Sequence, residues 1–181
     1  MKQGLFSLIM GIALWLVPQQ GHALSITVDS PTVNAGDTVT INLNVADAVN
    51  LTSWQFDLNY NPLLLQANSV TEGSFLSSAG STLFIPGFID NTAGLIGGMS
   101  GFFTDLIPPS GSGVLATIEF TALASGLSPL TLSNVFVDGL DSGFTVTNGS
   151  ATVPEPSSLA LLLLGGLTLW GMRRWRERDA A

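Results

Sequence analysis

The sequence has 181 residues, of which 10% are charged and 46% hydrophobic, and its formal net charge is −8. Its cations sit only at the ends: Lys2 at one, and Arg173, Arg174, Arg176 and Arg178 at the other. The stretch from Leu24 to Thr152 holds ten carboxylates and no Lys or Arg, so nothing in it neutralises phosphates, and a nucleic-acid partner is excluded.

The chain opens with Met1-Lys2-Gln3, an apolar run from Gly4 to Val17, and then Pro18-Gln19-Gln20-Gly21-His22-Ala23. A positive start, a short apolar core, a helix breaker and small residues at Gly21 and Ala23 predict a secretory signal peptide over 1–23, cleaved after Ala23. The chain has no Cys, so an exported domain must be held by its core and its β ladders.

From Leu24 the pattern changes. Thr38–Val45 and Ser53–Tyr60 alternate apolar and polar residues, the period of strands with one buried face. In the second run Trp54, Phe56, Leu58 and Tyr60 should face the core, and Ser53, Gln55, Asp57 and Asn59 the solvent. Further strands are expected over Leu24–Val28, Leu63–Val70, Thr82–Ile89, Leu95–Ser100, Val114–Leu123, Ser128–Val137 and Phe144–Thr152, nine in all. Turn signals such as Ala35-Gly36-Asp37, Asn61-Pro62, Ser125-Gly126 and Asp138-Gly139 separate most of them. The fold class is all-β, a sandwich over 24–152. Two apolar segments, Thr82–Ile89 and Phe102–Pro109, should either cover each other or form a contact patch.

The end of the chain, 153–181, reads Val153-Pro154-Glu155-Pro156, an uncharged run over about 157–172, and a basic tail over 173–178. As a helix the run would span roughly 24 Å, a little short of a ~30 Å hydrocarbon core. The arginines would stay on the cytoplasmic side, and Trp170 and Trp175 suit the interface.

This end resembles the PEP-CTERM sorting signal of Gram-negative bacteria, on the strength of Val153, Pro154, Glu155, Pro156, the apolar helix, and Arg173 and Arg174. The resemblance implies an exosortase-type membrane protease as partner, cleavage near Pro154-Glu155-Pro156, and export through the inner membrane. The destination would be the cell surface, the outer membrane or the extracellular matrix, with a transient membrane contact through the helix.

The domain in turn resembles a cohesin. The matching stretches are Ile26–Asp29, Val33–Val39, Phe56–Leu65, Gly73–Leu76 and Gly113–Phe120, with Asn61 where cohesins usually carry Asp. The resemblance implies a nine-stranded jelly-roll sandwich and a dockerin-like partner. It also implies that the polar face of the Ser53–Tyr60 strand binds that partner, which makes Gln55, Asp57 and Asn59 the candidate partner-binding residues.

With both termini removed the domain holds no His, Cys, Lys or Arg. That removes most acid–base and nucleophilic chemistry and any His/Cys metal cluster, so the protein is read as a non-enzyme with no catalytic residue. Calcium, which takes oxygen ligands, is the cofactor such a domain could use, with Asp138 and Asp141 as its candidate ligands. Turn capping is the preferred reading of those residues. The leading function is an exported cell-surface or exopolysaccharide-matrix protein that binds a partner protein. The alternatives are a carbohydrate-binding module of the same sandwich class and a structural matrix protein without a discrete site.

Overall fold

A computed structural model describes residues 23–140 and 142–155, together with the single positions 162 and 165. The signal peptide up to His22, Asp141, Pro156, the candidate helix over 157–172 apart from those two positions, and the basic tail with Arg173 and Arg174 lie outside the described residues. Among the described residues no helix is long and apolar enough to cross a membrane.

Runs rich in Val, Ile, Thr, Leu and Phe favour extended backbone, because branched and aromatic side chains pack well on a pleated surface. They form β1 (Ser25–Val28), β2 (Thr38–Ala48), β3 (Ser53–Asn59), β4 (Leu65–Glu72), β5 (Thr82–Ile85), β6 (Phe88–Asp90), β7 (Leu95–Phe103), β8 (Gly111–Ala122), β9 (Gly126–Val137), β10 (Thr145–Thr147) and β11 (Gly149–Val153). One helical turn, α1 (Ser74–Ser77), lies between β4 and β5 and buries Phe75 and Leu76.

Two sheets pack face to face. One has the order β10-β1-β2-β8-β4, and the other β11-β9-β3-β7-β5, with β6 also on β7. Every predicted strand is present, and two of the nine are each broken into two, which accounts for the eleven observed. Thr82–Ile89 breaks at Gly87, which has φ of 74° and packs so closely on the Gly97 carbonyl that a side chain there would collide with it. Phe144–Thr152 breaks at Asn148. Its first half, β10, pairs parallel with β1, and its second half, β11, pairs antiparallel with β9, so the chain passes from one sheet to the other. Gly149 makes the passage against the Asp29 carbonyl, where a Cβ has no room.

The core is built from the inner faces of both sheets. Ile41, Leu43, Ile118 and Phe120 come from the first, and Trp54, Phe56, Leu58, Ile96 and Met99 from the second, all essentially buried. Trp54 and Phe56 stack with ring centroids 4.9 Å apart, and Tyr60 meets Phe120 edge-on across the sheets at 5.0 Å. The Tyr60 hydroxyl donates to Asn91 Oδ1 at 2.7 Å, and the same oxygen accepts from the Ala67 N–H at 2.8 Å. Asn91 returns its amide to the Ala67 carbonyl at 3.0 Å, so this one side chain ties Tyr60, just past the end of β3, to β4.

Candidate partner-binding site

Strand β3 runs through the middle of the six-stranded sheet, between β7 and β9. As expected, Trp54, Phe56, Leu58 and Tyr60 point inward and are buried, while Gln55 and Asn59 are exposed and Asp57 is half-buried on the outer face. The three polar residues are not equivalent there. Asn59 donates to Ser133 Oγ at 2.8 Å and to the Thr131 carbonyl at 3.3 Å. Asp57 Oδ1 accepts from the Gly98 N–H at 2.7 Å, and Oδ2 accepts from Asn134 Nδ2.

Gly98 and Asn134 mark two β-bulges. Along β3–β7, Phe56 faces Met99 but Leu58 faces Ile96, so Gly97 and Gly98 oppose Asp57 alone. Along β3–β9, Gln55 faces Phe136 but Asp57 faces Ser133, so Asn134 and Val135 form the extra pair. Both Gly98 (φ 70°) and Asn134 (φ 49°) adopt left-handed backbone, which Gly and Asn accept most readily. The Asp57 carboxylate therefore fastens a bulge on each side of its strand.

A bulge reverses which side chains face the core beyond it. On β7 the inward residue is Ile96 before the bulge and Met99 after it, so Phe102 faces out. On β9 Leu130 and Leu132 face in, but beyond Asn134 it is Val137 that faces in, leaving Phe136 outside. The result is an outer face with two transverse rows. One runs Ile85, Ser100, Gln55, Phe136, and the next Leu83, Phe102, Ser53. Leu83, Ile85, Phe102 and Phe136 are all exposed, and between Phe102 and Phe136 a shallow cavity of about 290 Å³ is lined by Ser53, Gln55 and Gly139. Phe88 extends the patch by laying its ring over Gly97.

The apolar segments 82–89 and 102–109 thus divide between both expected roles. Leu83 pairs with Phe102 across β5–β7 on the outer face, whereas Phe84 turns inward and packs against Trp54 at 6.1 Å. Phe136 carries no sequence signal, because its exposure depends on the bulge at Asn134.

Two further acidic turn residues, Asp138 and Asp90, accept from protein donors, and Asp141 lies outside the described residues. Asp138 Oδ1 accepts from the Thr52 N–H at 2.8 Å, the Thr52 hydroxyl at 2.7 Å and the Ser53 N–H at 2.9 Å. Asp90 Oδ1 accepts from the N–H groups of Thr92 and Ala93. Among the described residues no three His, Cys, Asp or Glu side chains are grouped to hold a metal ion. At the end of the domain, Val153 is the last residue of β11, buried and paired with Gly126, and Pro154 and Glu155 follow directly as exposed residues. Ala23 is exposed just before β1.

The cohesin domain family model matches residues 24–153, the whole of the sandwich. The chain belongs to the cohesin family. The PEP-CTERM protein-sorting motif matches residues 152–178. Cellulose-binding protein A of Clostridium cellulovorans is 31% identical over 132 residues, covering 65% of this chain and only 6% of that much longer relative. Among solved structures, a non-cellulosomal cohesin from the archaeon Archaeoglobus fulgidus is 20% identical with a TM-score of 0.60, covering 74% of this chain and 93% of its own. A cohesin of Acetivibrio cellulolyticus solved in complex with a dockerin is 17% identical, also with a TM-score of 0.60, covering 73% and 99%. The cohesin domain and its sorting motif together make this an exported protein of the bacterial surface or surroundings, built on an interaction fold rather than an enzyme fold.

Proposed function

We propose that the cohesin domain recognises a partner protein through the outer face of β5, β7, β3 and β9, and that it does so after export, once the sorting signal has been processed by an exosortase-type protease. The observation that carries this reading is the cluster of exposed Leu83, Ile85, Phe102 and Phe136 around Gln55. Apolar and aromatic side chains grouped around a shallow cavity, with one polar group at the centre, have the composition of an interface core. Dockerin-type modules are the partner class, since cohesins of this fold are solved in complex with dockerins. Gln55 is the central polar contact, while Asp57 and Asn59 shape the face from within their own hydrogen bonds. The domain lacks cations, so a basic partner surface would be drawn to it at long range.

A second reading, attachment to exopolysaccharide, is favoured by the exposure of Phe88, Phe102 and Phe136 on one face, because aromatic rings stack on sugar rings. Titration calorimetry of the exported chain against dockerin-like modules of the same bacterium, and separately against its exopolysaccharide, decides between them. Binding to a module that is lost in Phe102→Ala and Phe136→Ala supports the leading reading. Binding to polysaccharide alone replaces it.

A further inference from the structure

The two ends of the sandwich differ in how they stand to the rest of the chain. Strand β11 ends at Val153 opposite Gly126, with Thr152 opposite Leu127. The Leu64 side chain lies over Gly126, 2.9 Å from where a Cβ would sit, and the Leu64 carbonyl accepts from the Leu123 N–H at 2.8 Å. The 60–64 turn, the 123–125 turn with the first residues of β9, and the exit of β11 therefore form one continuous end. Around that exit three leucines stand in solvent: Leu63 at 78% exposure, Leu123 at 48% and Leu127 at 59%.

The distance to the apolar run is short. Only Pro154, Glu155 and Pro156 separate Val153 from Ser157. That reach is at most about 14 Å. The polar layer between hydrocarbon and water is about 5–8 Å deep on each side of a bilayer. If the run from Ser157 enters hydrocarbon, Val153 can stand no more than about 14 Å from it, so the end of the sandwich bearing the three leucines is kept next to that layer.

We propose that this end of the domain is a lipid-contacting surface, with Leu63, Leu123 and Leu127 seated in the membrane interface while the C-terminal segment is still attached. The inference rests on reading 157–172 as a membrane segment. Asp37, whose backbone pairs with Ala122, and Glu155 both lie at this end, so the fitting surface is zwitterionic rather than anionic. The opposite end also exposes apolar side chains, Ile107 at 83% among them, but it stands a full sheet length away, about 40 Å along the twelve residues of β8. The tether, and not hydrophobicity alone, selects the contacting end.

The absence of cysteine from the sequence allows a direct test. The exported chain Leu24–Ala181, made in a Gram-negative host without the sorting protease, is labelled with an environment-sensitive fluorophore at Leu63→Cys, Leu123→Cys or Ile107→Cys and reconstituted in phosphatidylcholine vesicles. Spin-labelled phosphatidylcholine should quench the labels at 63 and 123 at least threefold more than the label at 107. Co-flotation with equal quenching at all three sites overturns the lipid-contacting end while leaving the membrane segment intact. A chain that does not float with the vesicles overturns both.

Discussion

Asp57 accepts the Gly98 N–H at 2.7 Å across the β3–β7 ladder, at the point where the two strands lose register. The second oxygen of the same carboxylate takes Asn134 on the other side, where β9 bulges as well. One half-buried acid thus bonds to both of the bulges that set the side-chain parity of the neighbouring strands, and with it the exposure of Phe102 and Phe136.

Asp57→Ala should consequently cost about 1–2 kcal/mol, the value of charge-assisted hydrogen bonds at a partly exposed position. Gln55→Ala, which removes no hydrogen bond among the described residues, should stay within about ±0.5 kcal/mol. Urea denaturation of both variants checks this. Equal midpoints for the two would show that Asp57 does not hold the bulges.

Inside the sandwich the expectation is larger. Phe56 is fully buried and stacked on Trp54, so Phe56→Ala should destabilise by about 3–5 kcal/mol through the cavity it leaves. A loss below about 1.5 kcal/mol in the same denaturation assay would mean that the two sheets close over the gap.

For partner binding, Phe102→Ala and Phe136→Ala should each weaken affinity at least tenfold, about 1.4 kcal/mol, with little change in stability because both rings are already partly in water. Association with a basic partner should slow as salt is raised from about 0.05 to 0.5 M, since the Debye length shrinks over that range. Stopped-flow mixing at several ionic strengths reads the slope. A rate insensitive to salt would remove the electrostatic contribution.

Tyr60 is the one tyrosine of the chain, and burial pushes its hydroxyl above the ordinary value of 10.0. The nearby Ala67 backbone N–H opposes that shift, and the charge of Asp90 adds to it. The unfolded chain loses this proton more readily than the folded one, so the contribution is complete below about pH 10 and is lost as the pH rises from there through the folded value. Between 24 and 152 there is no Lys, Arg, His or Cys to mask this. The unfolding midpoint should fall from about pH 10 upward, and Tyr60→Phe should flatten that fall. Tyrosinate absorbance appearing at the ordinary pH in the native protein would contradict it.

At the C-terminus, replacing Arg173, Arg174, Arg176 and Arg178 by Glu should disturb the orientation and processing of the sorting segment, because cationic residues set which end stays in the cytoplasm. Mass spectrometry of the protein recovered outside the cytoplasm compares the processed end of variant and wild type. Identical ends would take the orienting role away from the arginines.

Much of this protein was determined by sequence alone. The alternation in Ser53–Tyr60 placed Trp54, Phe56, Leu58 and Tyr60 inside, because side chains on an unbroken strand must fall on opposite faces. The stretches Ile26–Asp29, Phe56–Leu65 and Gly113–Phe120 were enough to indicate the cohesin family, and Val153–Pro156 with the arginine tail the sorting motif. What the linear pattern does not carry is the effect of one strand on another. Phe102 and Phe136 lie on the outer face only because β7 and β9 each insert an extra residue opposite β3, and a carboxylate on the middle strand bonds to both insertions. Likewise, Asn148 and Gly149 read as the interior of one strand until the passage between sheets separates β10 from β11. Such features are decided by pairing between residues far apart in the chain, where a shift of one position in one ladder reverses every side chain beyond it.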